Sequence, residues 1–167
     1  NKFFFNNKKK LIKNKVDSVF SEVKSSINSR LISEVQVGAF LSGGIDSSII
    51  SYFAAKKINN LKTYTIGFKD DQDLYHGKSD ESRQAKKFAN MLNTDHKTIM
   101  IDSSDFLESL DKFSHAGDQP FAVSSGLGIL KISEQAKMDG VKVLLSGDCA
   151  DEIFGGYTWY QYLSELK

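Results

Sequence analysis

The sequence predicts an α/β fold, an open and doubly wound parallel sheet preceded by an N-terminal helix. Short apolar runs typical of strands alternate with segments whose apolar residues recur at helical spacing. The connections between these strands are long enough for the crossovers that parallel pairing requires. Two of the strands end in similar small residues, FLSGG and LLSGD. Because ligands of such sheets lie beyond the carboxyl ends of the strands, where the strand order reverses, both ends are expected to face one ligand.

The first part of the chain predicts two helices and two strands. Apolar residues with a period near 3.6 indicate an amphipathic helix over residues 11–31. The run EVQVGAFL, residues 34–41, predicts a buried strand that stops at two glycines. A helix is expected from residue 46 to about residue 58, and LKTYTIGF, residues 61–68, predicts a second strand because it is rich in Thr, Tyr and Ile.

The remaining elements follow a long polar loop over residues 69–79. A helix is predicted over residues 79–92, capped by Ser79 or Asp80, and HKTIMI predicts a third strand. The next helix is predicted to open at Ser103 or Ser104. A break containing the only proline leads to a further helix over residues 125–138, and VKVLLSG predicts the fourth strand.

Composition limits the possible classes of protein. A chain of 167 residues with 40% hydrophobic and 26% charged residues fits one globular domain. The net charge of +1 gives no reason to expect nucleic acid or an anionic membrane as a partner. The single cysteine excludes an internal disulfide and a cysteine-based zinc site, and it favours the cytoplasm. No apolar run approaches the ~18 residues that would span a bilayer.

The motif SGGIDSS, residues 42–48, directly follows the first predicted strand. Its glycines let backbone N–H groups approach a ligand closely, and N–H groups at a helix N-terminus bind anions. Ser42, Ser47 and Ser48 add hydroxyl donors. Asp46 would repel a bare phosphate, so its presence favours a cation such as Mg²⁺, which takes carboxylate and phosphate oxygens together. The alternative is an ordinary glycine turn in which Asp46 or Ser47 caps the helix.

A second motif, LLSGDCADEIFGGY, follows the fourth predicted strand. Its three carboxylates, on Asp148, Asp151 and Glu152, lie within five residues and are flanked by glycines. Acids this close repel each other unless a metal, a cationic ligand or an unusual pKa relieves the repulsion. The alternative is that Asp151 and Glu152 merely stabilise the first turn of a helix.

Together the two motifs resemble the synthetase domain of glutamine-dependent asparagine synthetases. The segments RLISEVQVGAFLSGGIDSS, YTIGF, DESRQAKKFA and DQPF are also similar to that family, and the resemblance covers about residues 17–160. The first motif alone would indicate only the wider group of ATP pyrophosphatases. The resemblance implies that residues 1–167 are a Rossmann-like ATP-pyrophosphatase core, without the glutaminase domain and the C-terminal helical part that family members carry.

The resemblance also implies a set of site residues. Asp46 and Asp151 are expected to hold Mg²⁺, and Asp148 is expected to assist the formation or use of an acyl-adenylate. The remaining residues are expected to bind the pyrophosphate and adenosine parts of ATP: Phe40, Leu41, Ser42, Gly43, Gly44, Asp46, Ser47, Ile66, Ser146 and Gly147.

The implied activity is ATP-dependent amide formation. The side chain of aspartate would be activated as an acyl-AMP, and ammonia from glutamine would then displace AMP. Cys149 stands where the family usually has glycine, so the turn after Asp148 is expected to be less tight. Val123 stands where an acid is common and Gly128 where a proline is, both near the expected acceptor pocket, which leaves open a different carboxylate, such as a sugar acid. A nucleotide-binding fragment without catalysis is the other alternative. A homodimer is a further expectation.

Overall fold

Four strands form one parallel sheet in a computed structural model that describes residues 15–69, 80–117 and 125–165. The strands are β1 (Val37–Phe40), β2 (Lys62–Phe68), β3 (Asp95–Ile101) and β4 (Val143–Leu145). Their order across the sheet is β3-β2-β1-β4, and every neighbouring pair is parallel. The chain therefore builds outward from β1 through β2 to β3 and then returns to the other side of β1. The strand order reverses between β1 and β4, which confirms the predicted doubly wound sheet.

Seven helices lie within the described residues. They are α1 (Lys15–Arg30), α2 (Ile45–Ala55), α3 (Ser82–Leu92), α4 (Ser103–Gly117), α5 (Ser125–Met138), α6 (Ala150–Phe154) and α7 (Thr158–Glu165). Each helix predicted from the sequence is present, and α6 and α7 are additional. Residues 11–14 of the first predicted helix, residues 70–79 of the polar loop and Val123 lie outside the described residues. None of the helices in this part of the chain is both long and apolar enough to cross a membrane.

Side chains that alternate along the strands pack against helices on the two faces of the sheet. On one face, Tyr64 packs with Ile132 and Ala136 of α5, and Phe40 and Ile66 lie against the same cluster. On the other face, Ala39 packs with α2, and Leu41 packs with α3. Because successive residues of a strand point to opposite faces, this alternation from Ala39 to Leu41 requires helices on both sides.

Three carboxylates hold the start of α4 and the end of α5. Asp102 accepts a hydrogen bond from the Asp105 N–H at 2.9 Å, and Asp105 accepts one from the Asp102 N–H at 3.1 Å. The helix begins at Ser103, which agrees with the predicted opening at Ser103 or Ser104, and Asp102 caps it. After α5, Asp139 accepts hydrogen bonds from the Lys97 ammonium at 2.6 Å and the Tyr64 hydroxyl at 3.0 Å. These contacts fasten α5 to the centre of the sheet.

Candidate functional site

The loop between β1 and α2 owes its shape to two glycines. Gly43 has φ +89°, a left-handed conformation that residues with a Cβ rarely adopt. Gly44 is extended, with φ −68° and ψ 164°, and it is the N-cap of α2. No side chain caps this helix through a hydrogen bond, so the alternative in which Asp46 or Ser47 caps it in the ordinary way is not observed. The N–H groups of the first turn therefore face the loop without intrahelical partners.

Two serine hydroxyls join the ends of this loop. Ser42 Oγ lies 3.0 Å from Ser47 Oγ, and Ser47 Oγ accepts the Ser42 N–H at 3.2 Å. The Gly44 N–H donates to Ser42 Oγ at 3.2 Å. These bonds hold the loop as a compact turn at the carboxyl end of β1, in which two N–H groups and two hydroxyls lie close together.

Leu41, which precedes Ser42, and Ser48, which follows Ser47, are both buried. The Leu41 side chain is fully buried against Ala85 and Ala89. Only the main-chain atoms of Leu41 are therefore available for the predicted contact with a nucleotide. Ser48 Oγ is buried and has no hydrogen-bond partner among the described residues. Because buried hydroxyl groups in native interiors are nearly always paired, this is an unusual feature beside the loop.

The loop that follows β4 closes directly onto the start of α2. A Cβ at Gly147 would lie 2.9 Å from the Asp46 Cβ and 3.3 Å from the Ser47 nitrogen. Only a residue without a side chain fits at this distance. The two motifs identified in the sequence are therefore in contact, at the point where the strand order reverses.

Asp46 and Asp151 lie close enough for their charges to interact. Partial burial raises the pKa of the Asp46 carboxyl, and the negative charge of Asp151 raises it further. A Cβ at Gly156 would overlap Asp151 Oδ1, so the chain folds back tightly against the Asp151 side chain. No group of three or more His, Cys, Asp or Glu side chains suited to a metal occurs in the described part of the chain. A pair of carboxylates is the number that Mg²⁺ commonly takes from a protein when phosphate oxygens complete its coordination, so these two residues fit that ion.

Asp148 is exposed in the loop that follows β4, and a neighbouring serine holds its carboxylate. The Ser146 hydroxyl donates to Asp148 Oδ2 at 2.9 Å. Cys149, which is exposed, has φ 72° and ψ 0° and is the N-cap of α6. The chain thus keeps a left-handed turn after Asp148, although cysteine in place of the family's glycine was expected to make this turn less tight.

Phe40 and Ile66 lie on the face of the sheet that α5 covers. Both are partly exposed at the carboxyl ends of neighbouring strands. Gly128 of α5 faces Ile66, since a Cβ at Gly128 would be 3.2 Å from Ile66 Cγ1. This brings one of the residues that departs from the family pattern next to a predicted adenosine contact.

Sequence reasoning missed two features of the site. Gln84 of α3 donates through Nε2 to the Gly43 carbonyl at 3.1 Å; it lies in the segment DESRQAKKFA, but no role in the site was predicted for it. Tyr157 donates to Glu152 Oε1 at 2.7 Å, which lowers the pKa of Glu152 and raises that of Tyr157 to about 12. The only available signal for the second contact was the spacing of the acid and the tyrosine on either side of the two glycines.

The parallel sheet and the paired loops at its switch point define a class of α/β proteins that bind ligands beyond the carboxyl ends of their strands. Within that class, the chain belongs to the asparagine synthase family, whose model matches residues 18–167. A relative from Methanocaldococcus jannaschii is 40% identical over 152 residues, which are 90% of this chain and 27% of that protein. Asparagine synthetase 1 (glutamine-hydrolyzing) of Bacillus subtilis is 35% identical over 158 residues, which are 95% of this chain and 23% of that protein.

A solved structure supports the fold independently. The NH3-dependent NAD synthetase of Campylobacter jejuni aligns with a TM-score of 0.52 and 17% identity, covering 86% of this chain and 62% of that chain. Sequence identity at this level supports a shared fold and nothing further. The chain itself spans about a quarter of the length of the sequence relatives named above.

Proposed function

We propose that this chain is the ATP-binding core of a ligase that activates a carboxylate as an acyl-AMP and then converts it to an amide. The contact between Gly147 and the Asp46–Ser47 turn carries the proposal, because it brings a glycine-serine loop and an acid-rich loop to one point. An anion-binding loop beside paired carboxylates suits the triphosphate of ATP with its cation. Membership of the asparagine synthase family supports the same chemistry.

The first step is attack by a carboxylate oxygen of the acceptor on the α-phosphorus of ATP. The new bond joins oxygen to phosphorus, the bond from the α-phosphorus to the bridging oxygen breaks, and pyrophosphate leaves with the electron pair. Ser42, Gly44 and Ser47 would bind the leaving pyrophosphate through N–H and hydroxyl groups. Asp46 and Asp151 would hold Mg²⁺, which when bound neutralises phosphate charge.

The second step is attack by ammonia on the activated carbonyl carbon, which forms the amide bond and releases AMP. The nitrogen must lose one proton as ammonia becomes the NH2 group of the amide. Asp148 would accept this proton, a role supported by its exposure and by the hydrogen bond from Ser146 that orients its carboxylate. Phe40 and Ile66 would contact the adenosine, with Ser146 and Gly147 beside them.

The proposal also names the acceptor carboxylate and the source of the amide nitrogen. The named Bacillus subtilis relative is an asparagine synthetase that hydrolyses glutamine, which favours aspartate as the acceptor and glutamine as the source of ammonia. Residues beyond this chain would supply the glutaminase. Location in the cytoplasm and assembly as a homodimer remain predictions.

Pyrophosphate exchange tests the activation step. The full-length gene product that contains this chain is incubated with ATP, labelled pyrophosphate and a panel of carboxylic acids. Label is expected to enter ATP only when aspartate and Mg²⁺ are present. If label enters ATP only with a different acid, such as a sugar acid, then that acid and not aspartate is the substrate. Binding of ATP without exchange for any acid would reduce the function to nucleotide binding.

A further inference from the structure

Gln84 connects the glycine loop to α3, an element that neither sequence motif includes. Its side-chain amide donates to the Gly43 carbonyl at 3.1 Å. The two residues are also packed together, since a Cβ at Gly43 would lie 3.0 Å from both Cβ and Cγ of Gln84 and 2.9 Å from the Ala85 nitrogen. The loop therefore rests on the first turn of α3, and Gln84 supplies both the surface and the hydrogen bond.

The hydrogen bond fixes the orientation of one peptide plane. No cis peptide bond occurs in the described residues, and in a trans peptide the C=O and the N–H point in opposite directions. Holding the Gly43 carbonyl towards α3 therefore directs the Gly44 N–H away from α3. That N–H donates to Ser42 Oγ at 3.2 Å, on the side of the loop where the two serine hydroxyls meet.

A peptide between two glycines is weakly restrained, because neither residue has a Cβ to oppose rotation. Without the hydrogen bond from Gln84, only the bond from the Gly44 N–H to Ser42 Oγ holds the Gly43–Gly44 plane, and rotation of the plane would break that bond. The Gly44 N–H would then leave the side of the loop on which Ser42 and Ser47 lie.

We propose that Gln84 is a positioning residue that orients the Gly44 N–H for the pyrophosphate end of ATP. The inference rests on the proposed function, because it assumes that this loop binds the phosphates. Gln84 acts through the Gly43 carbonyl and does not touch the ligand. Its loss affects binding of the phosphates and leaves binding of adenosine unchanged.

Replacing Gln84 by methionine removes the donor and keeps an unbranched side chain of similar helix propensity. Dissociation constants for ATP with Mg²⁺ and for adenosine are measured by calorimetry on the full-length protein. Loss of one hydrogen bond is expected to weaken ATP binding about 3- to 10-fold. Gln84→Glu, which presents an acceptor to the carbonyl, is expected to weaken ATP binding at least as much. Adenosine binding is expected to stay at the wild-type value for Gln84→Met.

Gln135→Met is the matched control. Gln135 also donates one side-chain hydrogen bond, to Asp139 Oδ1 at 3.1 Å, but it lies near the amino end of β4. This variant is expected to bind both ligands as the wild type does. Unchanged ATP affinity in Gln84→Met, or an equal loss for adenosine, would overturn the role of Gln84. Failure of the wild-type protein to bind ATP at all would instead refute the proposed function.

Discussion

Replacing Gly147 by alanine would separate the two loops that meet at the switch point. The new Cβ would lie 2.9 Å from the Asp46 Cβ and 3.3 Å from the Asp46 carbonyl carbon and the Ser47 nitrogen. None of these atoms belongs to the free end of a side chain, so rotation about a side-chain bond cannot relieve the overlap. The loop after β4 and the start of α2 must move apart by a few tenths of an ångström.

The size of the effect follows from this geometry. Overpacking of this kind typically costs about 1–3 kcal/mol in the free energy of unfolding. Separation also changes the distance between Asp46 and the loop that carries Asp151. We expect the affinity for ATP with Mg²⁺ to fall about 10-fold, which corresponds to roughly 1.4 kcal/mol.

Gly140→Ala provides the control for this experiment. Gly140 has φ +80°, and the nearest atom to a new Cβ is Gln36 Oε1 at 3.6 Å. The backbone strain alone is expected to cost about 1–2 kcal/mol, at the end of the sheet opposite to the site. Denaturant unfolding and calorimetry with ATP compare the two variants. The reasoning is refuted if Gly147→Ala is destabilised but binds ATP like the wild type, or if Gly140→Ala loses ATP affinity equally.

Three further changes have defined outcomes. Cys149→Gly is expected to raise the free energy of unfolding by about 0.5–1 kcal/mol. The reason is that relief of the left-handed backbone strain exceeds the cost of the conformational entropy that glycine adds to the unfolded chain. An unchanged midpoint of urea unfolding would contradict this. Burial lowers the pKa of His96 below its ordinary value of 6.5, and the charge of Lys86 lowers it further. As the pH falls, the unfolded state therefore takes up this proton before the folded state does. The free energy of unfolding should decrease as the pH drops below about 6.5. His96→Gln should remove that part of the pH dependence in urea titrations at successive pH values. In Tyr157→Phe, the pKa of Glu152 should return towards its ordinary value in an NMR titration, and an unmoved pKa would exclude the hydrogen bond as its cause.

The sequence was sufficient to predict the sheet because its strands are short, apolar and separated by helices of clear periodicity. The helix over residues 125–138 has the predicted bounds, since its ends are marked by a proline-containing break and an Asp-Gly pair. The contact between the two motifs also followed from the sequence. Parallel strands place their carboxyl ends at one edge, and both motifs begin there.

Other features depend on contacts that no local pattern encodes. Gln84 is an ordinary residue of an amphipathic helix until the fold brings Gly43 against it. The helix α4 begins at Ser103 as predicted, but the reciprocal pair of hydrogen bonds between Asp102 and Asp105 that holds its first turn was not indicated by the sequence. Gly156 looks like part of a simple turn, although it packs against the Asp151 carboxylate.

Joint binding of one cation by Asp46 and Asp151 is tested most directly by a double-mutant cycle on ATP affinity. Asp46→Asn, Asp151→Asn and the double variant are each titrated with ATP, once with Mg²⁺ and once with a chelator. Each single variant is predicted to keep its fold and lose the Mg²⁺-dependent part of ATP binding, and the double variant is predicted to lose little more, because the two residues share one ion. Losses that add independently, or ATP affinity that stays at the wild-type level in either single variant, would contradict a shared site.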